Sequence, residues 1–146
     1  MAGMSKKAVE RLGLYYYRAD LMHAWLHALR ERYNHDLEAM SESDDWYEFT
    51  TYVDFWLAAL FVLVEGFNKL GLKDKNVSKL FTAQIGLLKT FRHHTYHFVP
   101  EYDPESTEVF IHLNWAEELH DAIGDFLVKS ANKRVRKNRR RKKVRH

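Results

Sequence analysis

The sequence predicts an all-α protein, an up-and-down four-helix bundle, and three observations carry that reading. Glycine and proline are scarce, 6 and 2 among 146 residues, while 46% of the chain is hydrophobic and 14% aromatic, so its elements should be long and seldom interrupted. Apolar residues recur at helical intervals in four separate stretches. The connections between those stretches are short or moderate and polar, which favours antiparallel neighbours. A chain of this length can bury one core without staples.

The first helix is expected from about Ser5 to Asn34, where Val9, Leu12, Tyr16, Met22, Trp25, Leu26, Leu29 and Tyr33 share a helical period. The polar SESDD at 41–45 supplies N-cap candidates for a second helix over about Asp45 to Leu70, and Gly71 is suited to the left-handed turn that ends it. These two helices should pair antiparallel. DKNVS at 74–78 opens a third helix carrying Leu80, Phe81, Ile85, Leu88 and Phe91, and Pro100 excludes helical backbone at the residue before it, so this helix stops near His97. A loop with Asp103-Pro104 follows, then VFIHL at 109–113, readable as a short strand or helix. Asn114 caps the fourth helix, expected to run to about Ser130.

The formal charge of +3 hides a division. Residues 133–146, KRVRKNRRRKKVRH, hold ten of the 23 Lys and Arg and none of the 20 Asp and Glu, so the bundle at 1–132 carries a net −7 and the tail +10. A run of like charge repels itself and is read as a disordered or fraying extension. Zero cysteines exclude a disulfide framework and thiolate metal sites and fit a reducing compartment. The longest apolar run, Phe55 to Val64, is about half of a membrane span, and the first ten residues lack an apolar signal core, so a cytoplasmic protein with no membrane partner is expected. GxxxxGK[ST], GxGxxG, HExxH and GxSxG are absent.

The chemistry concentrates in FRHHTYHF, Phe91 to Phe98. Arg92 offers a permanent cation with a planar fork of donors suited to phosphate, and His97 can take or give a proton near neutrality. Metal-free RNA cleavage needs such a pair: a base removes the ribose 2′-hydroxyl proton, the oxygen attacks the adjacent phosphorus, and a cation stabilises the crowded anionic transition state. The leaving 5′-oxygen needs a proton too, from His93, Tyr96 or a second copy of the motif. Five helical steps place Arg92 and His97 roughly 140° apart around one axis, so apposition across a dimer axis would bring them together more easily.

Two other readings stand beside it. His93 with His97, and His23 with His27, are i,i+4 pairs that share a face and suit a metal. The bundle di-metal pattern asks for inward carboxylates and Glu-x-x-His pairs, which this chain is not expected to supply, and no metal or other cofactor is expected. Alternatively, histidines and tyrosines at a helix end cap carbonyls and suit the negative end of the dipole without doing chemistry.

Arg92, His93, three further residues and then His97 resemble the Arg-polar-x-x-x-His signature of HEPN domains. The resemblance covers most of residues 10–130: a long first helix, a second ending in VLVEGF at 62–67, an Asp-led third carrying LLKTFRHHTYHF, the loop VPEYDPES, and a closing helix after Trp115. It implies a four-helix bundle homodimer whose two motifs meet in a composite, metal-independent endoribonuclease site, in many prokaryotic members a toxin or anti-phage effector with an antitoxin or other protein partner. By position, Arg92 would hold the scissile phosphate, His97 would transfer protons, and His93 would orient or assist. This chain departs twice from the pattern. His93 stands where Asn or Asp is common in active relatives, and Val99 stands where some toxin members carry a tyrosine that a partner enzyme modifies.

Around the motif, Glu65 follows ten apolar residues and either faces water or pairs with Arg92 or a histidine as a support. Trp46, Tyr52, Phe55, Trp56 and Tyr15 to Tyr17 are read as core and dimer contacts. In the tail, Arg134, Arg136, Arg139, Arg140, Arg141, Lys142 and Lys143 are candidates to grip RNA phosphate. The alternative to a ribonuclease is a non-catalytic HEPN-like adaptor for RNA, nucleotide or protein, with the tail supplying most of the affinity.

Overall fold

The computed structural model describes residues 6–101 and 112–143, and these are all-α: α1 Lys6–Arg32, α2 Leu37–Ser41, α3 Asp45–Lys69, α4 Lys75–Tyr96 and α5 Leu113–Lys143. The four long helices fall where the apolar periods place them. The one-turn α2 has no room for a period and is set instead by its ends. Asn34 and His35 both take positive φ, 52° and 64°, and Asp36 caps the turn by accepting from the Ala39 amide at 3.0 Å. Asp103-Pro104 and most of VFIHL lie outside the described residues, and of that stretch Leu113 begins α5.

Cross-helix contacts give the topology. Arg32 bonds Asp45, Trp25 stacks on Tyr52 and His23 on Trp56, so α1 and α3 run antiparallel. Arg92 lies over Phe61 and Thr95 bonds the Asp54 carbonyl, so α4 returns antiparallel to α3. Asp20 meets His120 and Arg30 meets Glu117, so α5 runs antiparallel to α1. The result is the up-and-down four-helix bundle, with the short α2 in the first connection.

α3 is the core helix. Phe49, Val53, Trp56, Leu57, Leu60, Leu63, Val64 and Phe67 are buried along it, against Leu26 and Leu29 of α1, Leu88 of α4, and Leu119 and Ile123 of α5. By length and composition alone α3 is apolar enough to cross a membrane, and 56% of that window is buried inside the bundle. Of the four SESDD candidates, Asp44 takes the N-cap position without a side-chain cap bond. Asp45 instead receives Arg32 at 2.6 Å and lies 3.0 Å from the Tyr33 hydroxyl, tying the α1 end to the α3 start. Gly71 closes α3 at φ 59°, as its sequence position predicts.

α4 begins on Asp74, whose carboxylate accepts from the Asn76 and Val77 amides at 3.0 and 3.1 Å. It bends at Gln84 (φ −139°, ψ 22°). The cause is on α5: the Trp115 indole donates to the Leu80 carbonyl at 2.9 Å, the acceptor an unbroken helix would give to the Gln84 amide. α5 itself runs thirteen residues past the expected Ser130, through eleven residues of the basic run. Lys and Arg are good helix formers, and after Gly124 no Gly or Pro stops them.

Tyr16 of α1 seats on Gly124 of α5, and a Cβ there would meet its hydroxyl and, at 2.7 Å, its Cζ. Gly→Ala inside a helix ordinarily gains about 1 kcal/mol. Gly124→Ala should instead lose about 1–2 kcal/mol to overpacking, whereas Gly13→Ala, with nothing within 4 Å of the new methyl, should keep the gain. Urea unfolding of the two variants checks the contrast.

Candidate functional site

The end of α4 is set by Pro100: the helix stops at Tyr96, and His97 takes extended backbone (φ −132°, ψ 136°) while its amide still donates to the His93 carbonyl at 2.9 Å. Because His97 has left the helix, the angular reckoning for a continuous helix no longer governs it. Its ring packs on that of His93 with centroids 4.8 Å apart. Arg92, His93 and His97 are all exposed.

Arg92 lies over α3, its guanidinium 5.7 Å from the Phe61 ring centroid. Among the described residues no ion pair or hydrogen bond joins Arg92 to His97 or to Glu65. Glu65 is half-buried on α3. Within one chain, then, the structure brings the His93 and His97 rings into contact and shows no bond from Arg92 or Glu65 to either among the described residues.

Tyr96 packs edge-on to Phe55, centroids 6.1 Å apart. His97 lines a cleft of about 280 Å³ with Asp54, Phe55, His94 and Phe98. Two aromatic residues of the same stretch are exposed beside it, Phe98 at 92% and Tyr96 at 60%. Of the residues read as core and dimer contacts, Trp46 and Trp56 lie in the core, and Tyr15, Tyr17 and Phe55 are exposed, where a partner could cover them. Of the tail candidates the side chain of Arg136 is described, and it is exposed. The side chains of Arg134, Arg139, Arg140, Arg141, Lys142 and Lys143 lie outside the described ones.

A second polar cluster lies between α1, α3 and α5. His120 is 1% exposed; the Trp56 indole donates to its Nδ1 at 3.2 Å, and its Nε2 faces Asp20 Oδ1 at 3.1 Å. Because an indole N–H can only donate, Nδ1 must be the acceptor and Nε2 carries the proton, which it gives to Asp20. His23 stacks on Trp56 at 4.6 Å and lies 3.7 Å from Glu117 Oε1, with His27 at 3.8 Å from the same oxygen. Arg30 binds that oxygen at 2.7 Å. Burial, then the neighbouring His120 and His27, pull the His23 pKa down, and Glu117 and Asp121 only partly offset this. Burial followed by Asp20, Asp121 and Asp125 pushes the Tyr16 hydroxyl up to about 12.

Helical spacing pairs His23 with His27 but does not identify their partners. A signal for those partners exists, and it corrects the expectation that the chain supplies no Glu-x-x-His pair: Glu117-x-x-His120 on α5 and Asp20-x-x-His23 on α1 put both residues of each pair on one face. What spacing does not give is the register of α1 against α5. Comparisons with protein-family models, with curated proteins and with solved structures find no match for this chain.

Proposed function

We propose that this chain is a metal-independent endoribonuclease of the HEPN type, acting as a homodimer in the cytoplasm in the role of a toxin or anti-phage defence effector. The observation that carries the reading is the end of α4, where Arg92, His93 and His97 are each exposed within one turn and a half of chain and the neighbouring Tyr96 and Phe98 are exposed as well. A patch of that kind on an otherwise well-packed bundle suits a protein partner, and a second copy would supply the second motif.

In this mechanism His97 takes the 2′-hydroxyl proton, and the resulting oxygen attacks phosphorus. The Arg92 guanidinium, from the same or the facing protomer, holds the anionic phosphorane. The departing 5′-oxygen receives a proton from His93 or from the partner's motif, leaving a 2′,3′-cyclic phosphate and a 5′-hydroxyl. The His93–His97 ring contact at 4.8 Å supports a shared proton role for that pair.

The test is incubation of the wild-type protein with a structured RNA in excess EDTA, with the product ends analysed. Fragments ending in 2′,3′-cyclic phosphate are the expected result. RNA bound but uncut at every protein concentration would favour the adaptor reading. In the same assay, replacing the ten tail Lys and Arg by Gln should weaken RNA binding and flatten its salt dependence, by roughly 0.7 in log–log slope for each phosphate that the tail no longer neutralises, with cleavage at saturating RNA retained.

A further inference from the structure

The α1/α5 cluster is costly as a structural device. Nε2 of His23 and Nε of Arg30 are buried without a hydrogen-bond partner among the described residues, and buried orphans of this kind call for an explanation such as an ion. Two overlapping groups hold ligand atoms within 4.8 Å of one another: Asp20, His23 and His120, and His23, His27 and Glu117.

Chemistry separates them. A histidine ligates through a nitrogen lone pair, and the Trp56 N–H at His120 Nδ1 puts the proton on Nε2, the atom that faces Asp20. That removes His120 as a ligand. His23 and His27 are not committed in this way. They are i,i+4 on one rigid helix, with Glu117 on the neighbouring one, an arrangement by which bundles build metal sites from facing helices.

We propose that His23, His27 and Glu117 form a binding site for one divalent transition-metal ion of the zinc class per chain, separate from the α4 motif. At bond lengths of about 2.1 Å, ligand atoms around a tetrahedral ion stand roughly 3.4 Å apart. The two nitrogens lie 3.7 and 3.8 Å from Glu117 Oε1, so each needs to close on the carboxylate by only a few tenths of an ångström, and all three ligand atoms lie within 4.8 Å of one another. Two imidazoles and one carboxylate suit zinc, and they leave a coordination position for water or a ligand.

Arg30 is the competitor. Its guanidinium holds Glu117 Oε1 at 2.7 Å and supplies the positive charge that an ion would supply. The bundle is thus closed without metal, and binding exchanges one cation for another. Arg30 either moves to the second carboxylate oxygen, where it would orient Glu117 as a supporting group does, or swings out along its flexible stem.

The experiment is calorimetric titration of zinc into tag-free, full-length protein, with cobalt(II) absorption as a second readout of nitrogen and oxygen ligation. One zinc per chain is expected. His27→Ala, at a half-exposed position that tolerates truncation, should weaken binding by at least about a hundredfold, since even groups supporting a ligand are worth 10–100-fold. Arg30→Gln should tighten it, by roughly tenfold, a direction that a merely structural cluster would not produce. Absence of stoichiometric zinc binding in the wild type overturns the proposal. So does binding that survives His27→Ala, or that is lost in a His93→Ala/His97→Ala variant. None of these readouts depends on RNA cleavage.

Discussion

Arg92→Ala and His97→Ala should each lower RNA cleavage by at least about a hundredfold, the low end of what a positioned proton-transfer group or a preorganised cation contributes. Both side chains are exposed, so the variants should fold and bind RNA within a few-fold of the parent. His93→Asn should cost less, because Asn keeps a polar group at the place after the arginine. The arrangement within one chain makes a sharper test available. Arg92 lies over Phe61 while His97 packs with His93, and no hydrogen bond or ion pair among the described residues joins the two, so whether one chain or two supply them is open to a direct test. If each site takes its arginine from one protomer and its histidine from the other, the two inactive variants mixed together should recover activity. In a mixed dimer one site keeps both groups intact. Failure to recover under conditions where subunits exchange would show that cleavage needs all four groups or only one chain's pair, and light scattering of the same mixture reports whether exchange partners exist.

Most of the bundle is readable from the sequence because its helices are long and apolar on one face. α3 alone buries twelve residues, and a period sustained over that length admits one structure. The end of α4 is readable too, since Pro100 acts through local sterics. Two local features are not. α2 depends on the left-handed Asn34 and His35, which no period announces. The bend at Gln84 depends on Trp115, thirty-five residues away from the carbonyl it takes. The extension of α5 turns on a balance: like-charge repulsion argues for fraying at the basic run, while intrinsic propensity carries helix through Lys143.

At the candidate sites the limit is register. The residue types of FRHHTYHF identify its chemistry, but the place of His97 depends on backbone that has already left the helix, where angular reckoning fails. Likewise Glu117 and His120 sit beside Asp20 and His23 only because α5 packs antiparallel on α1 at one particular offset. Neighbours in sequence of each histidine pair do not include a carboxylate some ninety residues away. Side chains one turn apart on a helix are legible, and those brought together by packing are not.

Trp56→Ala should be the most damaging single substitution in the bundle. The ring is fully buried in the centre of α3, stacks on His23 and supplies the hydrogen bond that fixes His120. Removing it costs about 3–5 kcal/mol for the cavity, out of a total domain stability of about 5–15 kcal/mol. The unpaired His120 Nδ1 adds about 1–3 kcal/mol. Trp56→Phe weights the second contribution, because it keeps most of the apolar volume while removing the donor, so its loss should fall well below that of Trp56→Ala, at or somewhat above the second figure. A double-mutant cycle with His120→Leu then isolates the polar link. Replacing both partners by apolar groups should be far less costly than the sum of the single changes, since neither leaves the other's polar atom stranded and the exposed Asp20 regains water. Urea unfolding of the four proteins measures that coupling. Strict additivity would mean that His120 is held by its packing against Tyr16 and His23 and that the Trp56 hydrogen bond contributes nothing to keeping a polar ring in the core.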